Sequence, residues 1–508
     1  MIPTPPHLIR TPAELDRLFP WLRQELLRGI PHFISPSWTA DRSRFDPEHY
    51  ADCWQRIGFK SVTLLTVHHD GYYLYPSRLC RLQPDRDYFG EQVEACRRRG
   101  IRVIAYYSLT LNSLVGSEHP EWRVRDLRGR VHQPDYRQFS HYHWMCLNSP
   151  FRDFAVAQLE ELVTRYPVEG IWLDILYLPG LPGPNDEPET ATCFCDHCHR
   201  QYSAWNHGEH LVDAAHSARH LEFRAETYKN FLIQAKTMLL RQPKPLLLTF
   251  NGAGRYRMPF YERNDALADL LTGEAHSPMS LMIAGKVLRN DGRPFEMLSC
   301  SEVCWSHISP KPTTLIQLES LPPIIQGGTY TLGITHAPDG RLSQANIDRL
   351  VEHSRWIHER REVLTGTEPV YEAAIAGPYQ KAENWALILR QAHVLFNILP
   401  SWTALGDYRV VVFPAETSVP SDAVPLIEAY VRQGGAILVE SPAARVRDGG
   451  PWTLQDVLGC APLGEERAYG FYLDVTSRDV AEDLLAHEPI FIEFGRAACV
   501  GLTTAEPL

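Results

Sequence analysis

The chain has 508 residues, 44% of them hydrophobic and 22% charged, with 50 basic against 61 acidic side chains and a formal net charge of −11. That length accommodates two or three domains and at least one large core. The acidic balance argues against a nucleic-acid binder, which needs a basic face, and the apolar content argues against a disordered chain.

The start, MIPTPPHLIRTPAELDRLF, lacks a basic segment followed by an apolar core, so no signal peptide is expected. No apolar run is long enough to span a bilayer. Eleven cysteines, mostly scattered singly through helical and strand patterns, fit reduced thiols and a cytoplasmic location better than a disulfide framework.

In chain order, short apolar runs alternate with helical patterns. Strands are expected at 31–38, 61–67, 101–109, 169–175, 245–252, 269–275, 295–302 and 327–333. Helical stretches lie between them. PEHYADCWQRIG and DYFGEQVEACRRRG each end in glycine, the residue that suits the left-handed position after a last helical turn. Eight such units predict an α/β fold, a (β/α)8 TIM barrel over residues 1–365. After a helix at 346–364 the chain starts again. YEAAIAGP, DYRVVVFP and AILVES, separated by helical patterns, predict a smaller flavodoxin-like α/β domain at 366–462. Residues 463–508 read as a β-rich segment that could begin a further domain.

In a barrel of this kind the C-terminal strand ends form the active face. The residues expected there are Trp38; His68, His69 and Asp70, with tyrosines behind them; Tyr107 and Asn112; Asp174; Asn251; Glu274 and His276; and Glu302, Trp305 and His307. Acids and imidazoles mixed with aromatic faces suit a carbohydrate, whose C–H face stacks and whose hydroxyls need polar partners. Glycoside hydrolysis then needs two carboxylates. Asp174 sits between Leu173 and Ile175 in a buried run, where an idle acid is costly, and Glu274 follows the same logic on the sixth strand. The bland alternative at each is a cap or a loop acid.

TATCFCDHCHRQY places Cys193, Cys195 and Cys198 within six residues, which reads as a tetrahedral zinc site in need of a fourth ligand. His197 and His199 are adjacent. Cys146, in HWMCLNSPFRDF, is the expected fourth ligand, and a closed four-thiolate site would be structural. The competing reading is a set of unmetallated thiols.

HHDGYYLYPSRL resembles the segment after the second barrel strand of α-L-fucosidases, which contacts their sugar. GIWLDI resembles their fourth strand, which implies that Asp174 is the nucleophile. CLNSPFRD and CFCDHC resemble the zinc segments of β-galactosidases that carry a trimerisation domain, which implies Cys146, Cys193, Cys195 and Cys198 as ligands. Residues from about 368 to 460 are similar to the middle domain of those enzymes, which implies a homo-oligomer, a dimer or trimer. The chain as a whole resembles a hypothetical glycosyl hydrolase group.

The expectation is therefore a retaining exo-glycosidase acting on a carbohydrate. Asp174 would be its nucleophile, and Glu274, assigned from its strand position, its acid/base. Trp38, His68, His69, Asp70, Tyr107, Asn251, Glu302, Trp305 and His307 would hold the substrate. The fourth strand lacks the Asn-Glu pair of the β-galactosidases, which puts their acid assignment in doubt here. Two alternatives stand beside this: a β-galactosidase-like enzyme with Glu302 as nucleophile, and a carbohydrate-binding protein without turnover.

Overall fold

The structure is a computed structural model. It describes the chain except residues 1–3, 32–43, 132–141, 177–192, 212–217, 255–264, 304–308, 338, 378, 416, 441–453, 469–470, 474–489, 493–494 and 505–508. The chain divides into two units, Met1–Thr367 and Glu368–Leu508.

In the first unit eight parallel strands run β1 (Leu27–Pro31), β2 (Ser61–Val67), β3 (Arg102–Ser108), β4 (Gly170–Asp174), β5 (Leu247–Phe250), β6 (Leu271–Glu274), β7 (Phe295–Cys300) and β8 (Thr329–Ile334), in the sheet order β5-β4-β3-β2-β1-β8-β7-β6. Helices such as Pro47–Ile57, Tyr88–Arg98, Phe151–Arg165, Pro278–Asp291 and Gln344–His358 separate them. This is the expected TIM-barrel architecture, with almost every strand position buried because both faces are covered. The seam between β5 and β6 is joined by discrete bonds. Asp269 N–H donates to the Leu248 carbonyl (2.7 Å), Leu248 N–H donates back to the Asp269 carboxylate (2.8 Å), and the Thr249 hydroxyl meets Thr272 at 2.9 Å.

Seven of the eight expected strands coincide with observed ones. The first does not: β1 is Leu27–Pro31 rather than 31–38, and residues 32–43 lie outside the described ones. An apolarity scan passes over LRGIP because Arg28 interrupts it. In the fold Arg28 is fully buried, yet it is paired, which removes most of the penalty of burying a charge. Its guanidinium donates to Glu296 on β7 (2.8 Å) and to Ser61 on β2 (2.8 Å), lies 3.4 Å from Glu25 and covers the Trp21 ring. Glu296 also accepts from Trp172 on β4 (2.8 Å), Thr331 on β8 (2.7 Å) and Thr272 on β6 (3.3 Å).

The second unit holds a parallel four-stranded sheet of β9 (Ala373–Ile375), β10 (Phe396–Ile398), β11 (Val410–Phe413) and β12 (Ala436–Val439), in the order β10-β9-β11-β12. That 2-1-3-4 order is the flavodoxin-like one. Its core includes Ala374, Val411, Phe413, Ile427 and Tyr430. Towards its end, Cys460–Ala468 pairs antiparallel with Gly495–Leu502, and Phe471–Leu473 with Ile490–Ile492. Among the described residues no helix is long and apolar enough to cross a membrane.

Removing one partner of a buried ion pair leaves a stranded charge, at about 3–5 kcal/mol. Arg28→Met should therefore destabilise the barrel by about that much in chemical denaturation, and Arg28→Met with Glu296→Leu should lose less than the two single changes together. An Arg28→Met protein that unfolds like wild type would refute the role given to this pair.

Candidate active site

Strand parity decides which side chains reach the barrel mouth. Trp172, Thr249 and Thr272 lie in the polar layer around Glu296, and positions two residues further along each strand face the same way one layer up. Those positions are Asp174, Asn251 and Glu274. They meet: the Asn251 side-chain amide donates to Asp174 Oδ1 (3.1 Å) and to Glu274 Oε2 (2.8 Å). His276 Nε2 then lies 3.2 Å from Glu274 Oε1 and Nδ1 lies 3.8 Å from the Cys300 thiol at the end of β7.

Asp174 is buried and well bonded. It accepts from the Tyr106 hydroxyl and from the Ile175 N–H (2.8 Å). Burial pushes its carboxyl above the usual carboxylate range, the Tyr106 bond opposes this, and Glu274 adds to the rise. Ile175, the next residue, has a positive φ of 53°. A β-branched residue is strained there, at a cost of about 1–3 kcal/mol. Its conformation turns the N–H back onto Asp174 while its carbonyl accepts from the Thr110 hydroxyl.

The HHDG loop forms another side of this end of the barrel. His69 Nδ1 is 2.7 Å from the Ser108 hydroxyl, and Ser108 is the β3 residue in register with Asp174. His68 Nδ1 is 3.3 Å from Asp70, whose carboxylate also accepts from the Tyr72 N–H at 2.9 Å. Tyr142 lies edge-on to both imidazoles, at 6.2 and 5.7 Å. Gly71 turns with φ of 87°, and a Cβ there would strike Asn112 Oδ1 at 2.1 Å, so the turn needs glycine.

Two expected residues sit elsewhere. Tyr107 points outward, its hydroxyl on Gln158 of the helix Phe151–Arg165. Tyr106 is the inward residue, stacked on Trp172 at 5.4 Å. Counting alternate positions along β3 is the signal that would have found it. Glu302 belongs to a different network. Its carboxylate accepts from the Thr335 N–H (3.3 Å) and from the Asn346 amide (2.6 Å), and burial pushes it up to about 7. Trp38, Trp305 and His307 lie outside the described residues. Tyr106, Tyr142, Ser108 and Cys300 were not singled out from the sequence, because none shows a pattern without its neighbours in space.

The second chemical centre is the thiol cluster. The sulfurs of Cys146, Cys193, Cys195 and Cys198 all lie within 4.8 Å of one another and all four residues are buried. Cys146 Sγ is 3.4 Å from Cys198 Sγ and 3.6 Å from Cys195 Sγ, too far for disulfides. Tetrahedral metal–sulfur bonds of about 2.3 Å would separate sulfurs by about 3.8 Å, so the set fits a bound metal ion. Mutual contact pushes the Cys146 and Cys198 thiols up and holds Cys195 down, as expected when touching thiols share negative charge. Asn148 braces the cluster: its amide group donates to Cys198 Sγ (3.4 Å) and Thr227 Oγ1 (3.0 Å), and its N–H donates to Cys146 Sγ (3.4 Å).

Residues 46–175 match a family described as hypothetical glycosyl hydrolase 6. Human tissue α-L-fucosidase is 41% identical over 82 residues, 15% of this chain and 17% of that protein. Rat tissue α-L-fucosidase is 38% identical over 147 residues, 28% of this chain and 27% of that protein. The chain thus spans less than a third of the length of these curated relatives. Among solved structures, α-L-fucosidase isoenzyme 2 from Paenibacillus thiaminolyticus superposes with a TM-score of 0.77 at 19% identity, covering 94% of this chain and 73% of that one. A β-galactosidase from Bacillus circulans sp. alkalophilus gives 0.68 at 13% identity, covering 95% and 81%. At these identities the structural likeness concerns the fold.

An acid whose folded pKa is raised makes its ionised form unfavourable in the folded state. The resulting penalty is absent at low pH and grows as pH rises from the unfolded value through the folded one. Asp174→Asn should therefore make the protein more resistant to denaturation at neutral pH and leave it little changed near pH 3. Equal stability of the two proteins at pH 7 would contradict the buried-acid assignment.

Proposed function

We propose that the chain is a retaining glycoside hydrolase that releases a terminal sugar, α-L-fucosidase-like in its pocket, with Asp174 as nucleophile and Glu274 as acid/base. The observation that carries this is the Asn251 amide. One nitrogen bonds both carboxylates, at 3.1 and 2.8 Å, so the two acids stand either side of a single amide. That close approach supports a double-displacement pair, whose carboxyl groups lie roughly 5–5.5 Å apart, over an inverting pair, whose roughly 6.5–9.5 Å leaves room for water.

Asp174 attacks the anomeric carbon while the bond to the leaving oxygen breaks and Glu274 delivers its proton there. Water then attacks the glycosyl-enzyme, Glu274 takes the water proton, and Asp174 departs as carboxylate. The bonds from Tyr106, Ile175 and Asn251 hold Asp174 in one orientation and favour its charged form. His68, His69, Asp70 and Tyr142 supply a wall of donors and ring faces against a sugar, and Trp38, Trp305 and His307 are assigned to the same ring. Asn251 acts through the two carboxylates rather than as a direct sugar ligand. Glu302 is assigned to bracing the ends of β7 and β8 through Thr335 and Asn346.

The four thiolates are proposed to hold one zinc ion. A closed sulfur site leaves no open position, so the metal would tie the loop after β3 to the loop after β4. A homo-oligomer belongs to the same proposal, on the resemblance of the second unit to a trimerisation-type middle domain.

A panel of nitrophenyl glycosides, α-L-fucoside and α- and β-galactoside among them, tests the activity. Asp174→Asn should abolish release of the favoured sugar, and azide should restore it to Asp174→Gly. Rescue at Glu302 instead would move the nucleophile there, and sugar binding without turnover would make the protein a lectin-like binder. Because Asp174 must be ionised, kcat/KM should fall as pH drops through its raised pKa. Tyr106→Phe removes a bond to the charged form and should move that acid limb to higher pH. Elemental analysis should find one zinc per chain, lost in Cys195→Ser.

A further inference from the structure

The acid/base proposed for Glu274 must hold a proton in one state and an empty oxygen in the next, and the surrounding bonds decide which oxygen that is. The Asn251 side-chain nitrogen can only donate. It bonds Oε2 at 2.8 Å, so Oε2 is an acceptor in both states. The carbonyl oxygen of a neutral carboxyl is a better acceptor than its hydroxyl oxygen, so this bond favours the proton of neutral Glu274 on Oε1. That oxygen faces His276 Nε2 at 3.2 Å.

We propose that His276 is a positioning residue that holds the working proton of Glu274 on Oε1; the proposal rests on the assignment of Glu274 as acid/base. When Glu274 is neutral, its O–H donates to Nε2, and the ring carries its own proton on Nδ1, which faces the Cys300 sulfur at 3.8 Å. When Glu274 has given its proton to the leaving oxygen, the ring carries its proton on Nε2 and donates to the carboxylate. The imidazole holds one proton in both states. The shift between its nitrogens proceeds by exchange with solvent, since the His276 side chain is 45% exposed against 20% for Glu274. In the second half-reaction the water O–H bond breaks and the Glu274 O–H bond re-forms, so protons balance over the cycle. Glu274 from β6 and Cys300 from β7 face the ring, and Asp174 of β4 lies one residue further through Asn251.

The device has a second consequence. An acid oriented by a ring at the solvent edge matters most when the leaving group is a poor one. His276→Ala should lower kcat/KM by roughly tenfold for an alkyl glycoside of the favoured sugar, below the 10²–10⁴ of a general acid itself. It should change a dinitrophenyl glycoside, which needs little protonation, by less than about twofold. The alkaline limb of kcat/KM for the alkyl glycoside should shift, and His276→Gln, which can still accept and donate, should recover part of the loss. Equal losses for both leaving groups, or an unmoved alkaline limb, would overturn the proposal.

A measurement without turnover separates this from the activity itself. The His276 ring nitrogen resonances, identified by their loss in His276→Gln, are compared in wild type and in Glu274→Gln for which nitrogen carries the proton. An ionised Glu274 accepts from Nε2–H, whereas the amide of Glu274→Gln donates to Nε2 and should move the ring toward the Nδ1–H tautomer. The same tautomer in both proteins overturns the pairing even in an active enzyme, whereas a tautomer change in a protein that hydrolyses nothing would keep the pairing and reject the proposed reaction.

Discussion

The barrel hangs on one buried carboxylate. Glu296 on β7 is bonded by Arg28 of β1, Trp172 of β4, Thr272 of β6 and Thr331 of β8, and through Arg28 it is tied to Ser61 of β2. A charge in that position is tolerable only because these donors converge on it. The convergence also sets registers. Asp174 and Glu274 lie two residues beyond Trp172 and Thr272, and Asn251 lies two beyond Thr249, which bonds Thr272. The interior layer that satisfies Glu296 is thus the floor on which the two carboxylates and their bridging amide stand. An error of one residue in any of these strands would turn its site residue outward to the helices, as Tyr107 is.

Above that floor two unfavourable local features fall on adjacent residues. Asp174 is desolvated next to a second acid, and Ile175 is held in a left-handed conformation. Both act on one small object, the orientation of the Asp174 carboxylate. Its two oxygens are taken up by Tyr106 on one side and by Ile175 and Asn251 on the other. The surrounding polar layer and the aromatic stack of Tyr106 on Trp172 make that arrangement rigid enough to persist.

The thiol cluster acts on a different scale. Cys146 follows β3, whereas Cys193, Cys195 and Cys198 follow β4, so one ion would join two long loops that the Phe194 N–H bond to the Arg125 carbonyl (2.8 Å) also links. Asn148 adds bonds to two of the sulfurs and to Thr227. Its place two residues after Cys146 means that ligand and brace move as one segment.

Much of this was legible in the chain before it folded. Short continuous apolar runs and glycine-ended helical patterns located seven barrel strands, because burial on both faces of a parallel sheet forces apolar side chains to cluster in sequence. The same logic picked out Asp174 and Glu274, acids set where acids are expensive, and close spacing picked out three of the cysteines. The first strand was misplaced because the residue that matters most in it, Arg28, is charged, and its pairing with Glu296 spans 268 positions. Tertiary structure alone decided which of Tyr106 and Tyr107 faces inward and that Asn251 spends its amide on both carboxylates. It also decided that Glu302 braces Asn346 and that His276 meets Glu274 and Cys300. Each of these is a matter of distance between strands far apart in sequence. A sequence records which groups a chain carries, but hydrogen bonds of about 3 Å depend on strand register and side-chain direction, which only the closed barrel sets.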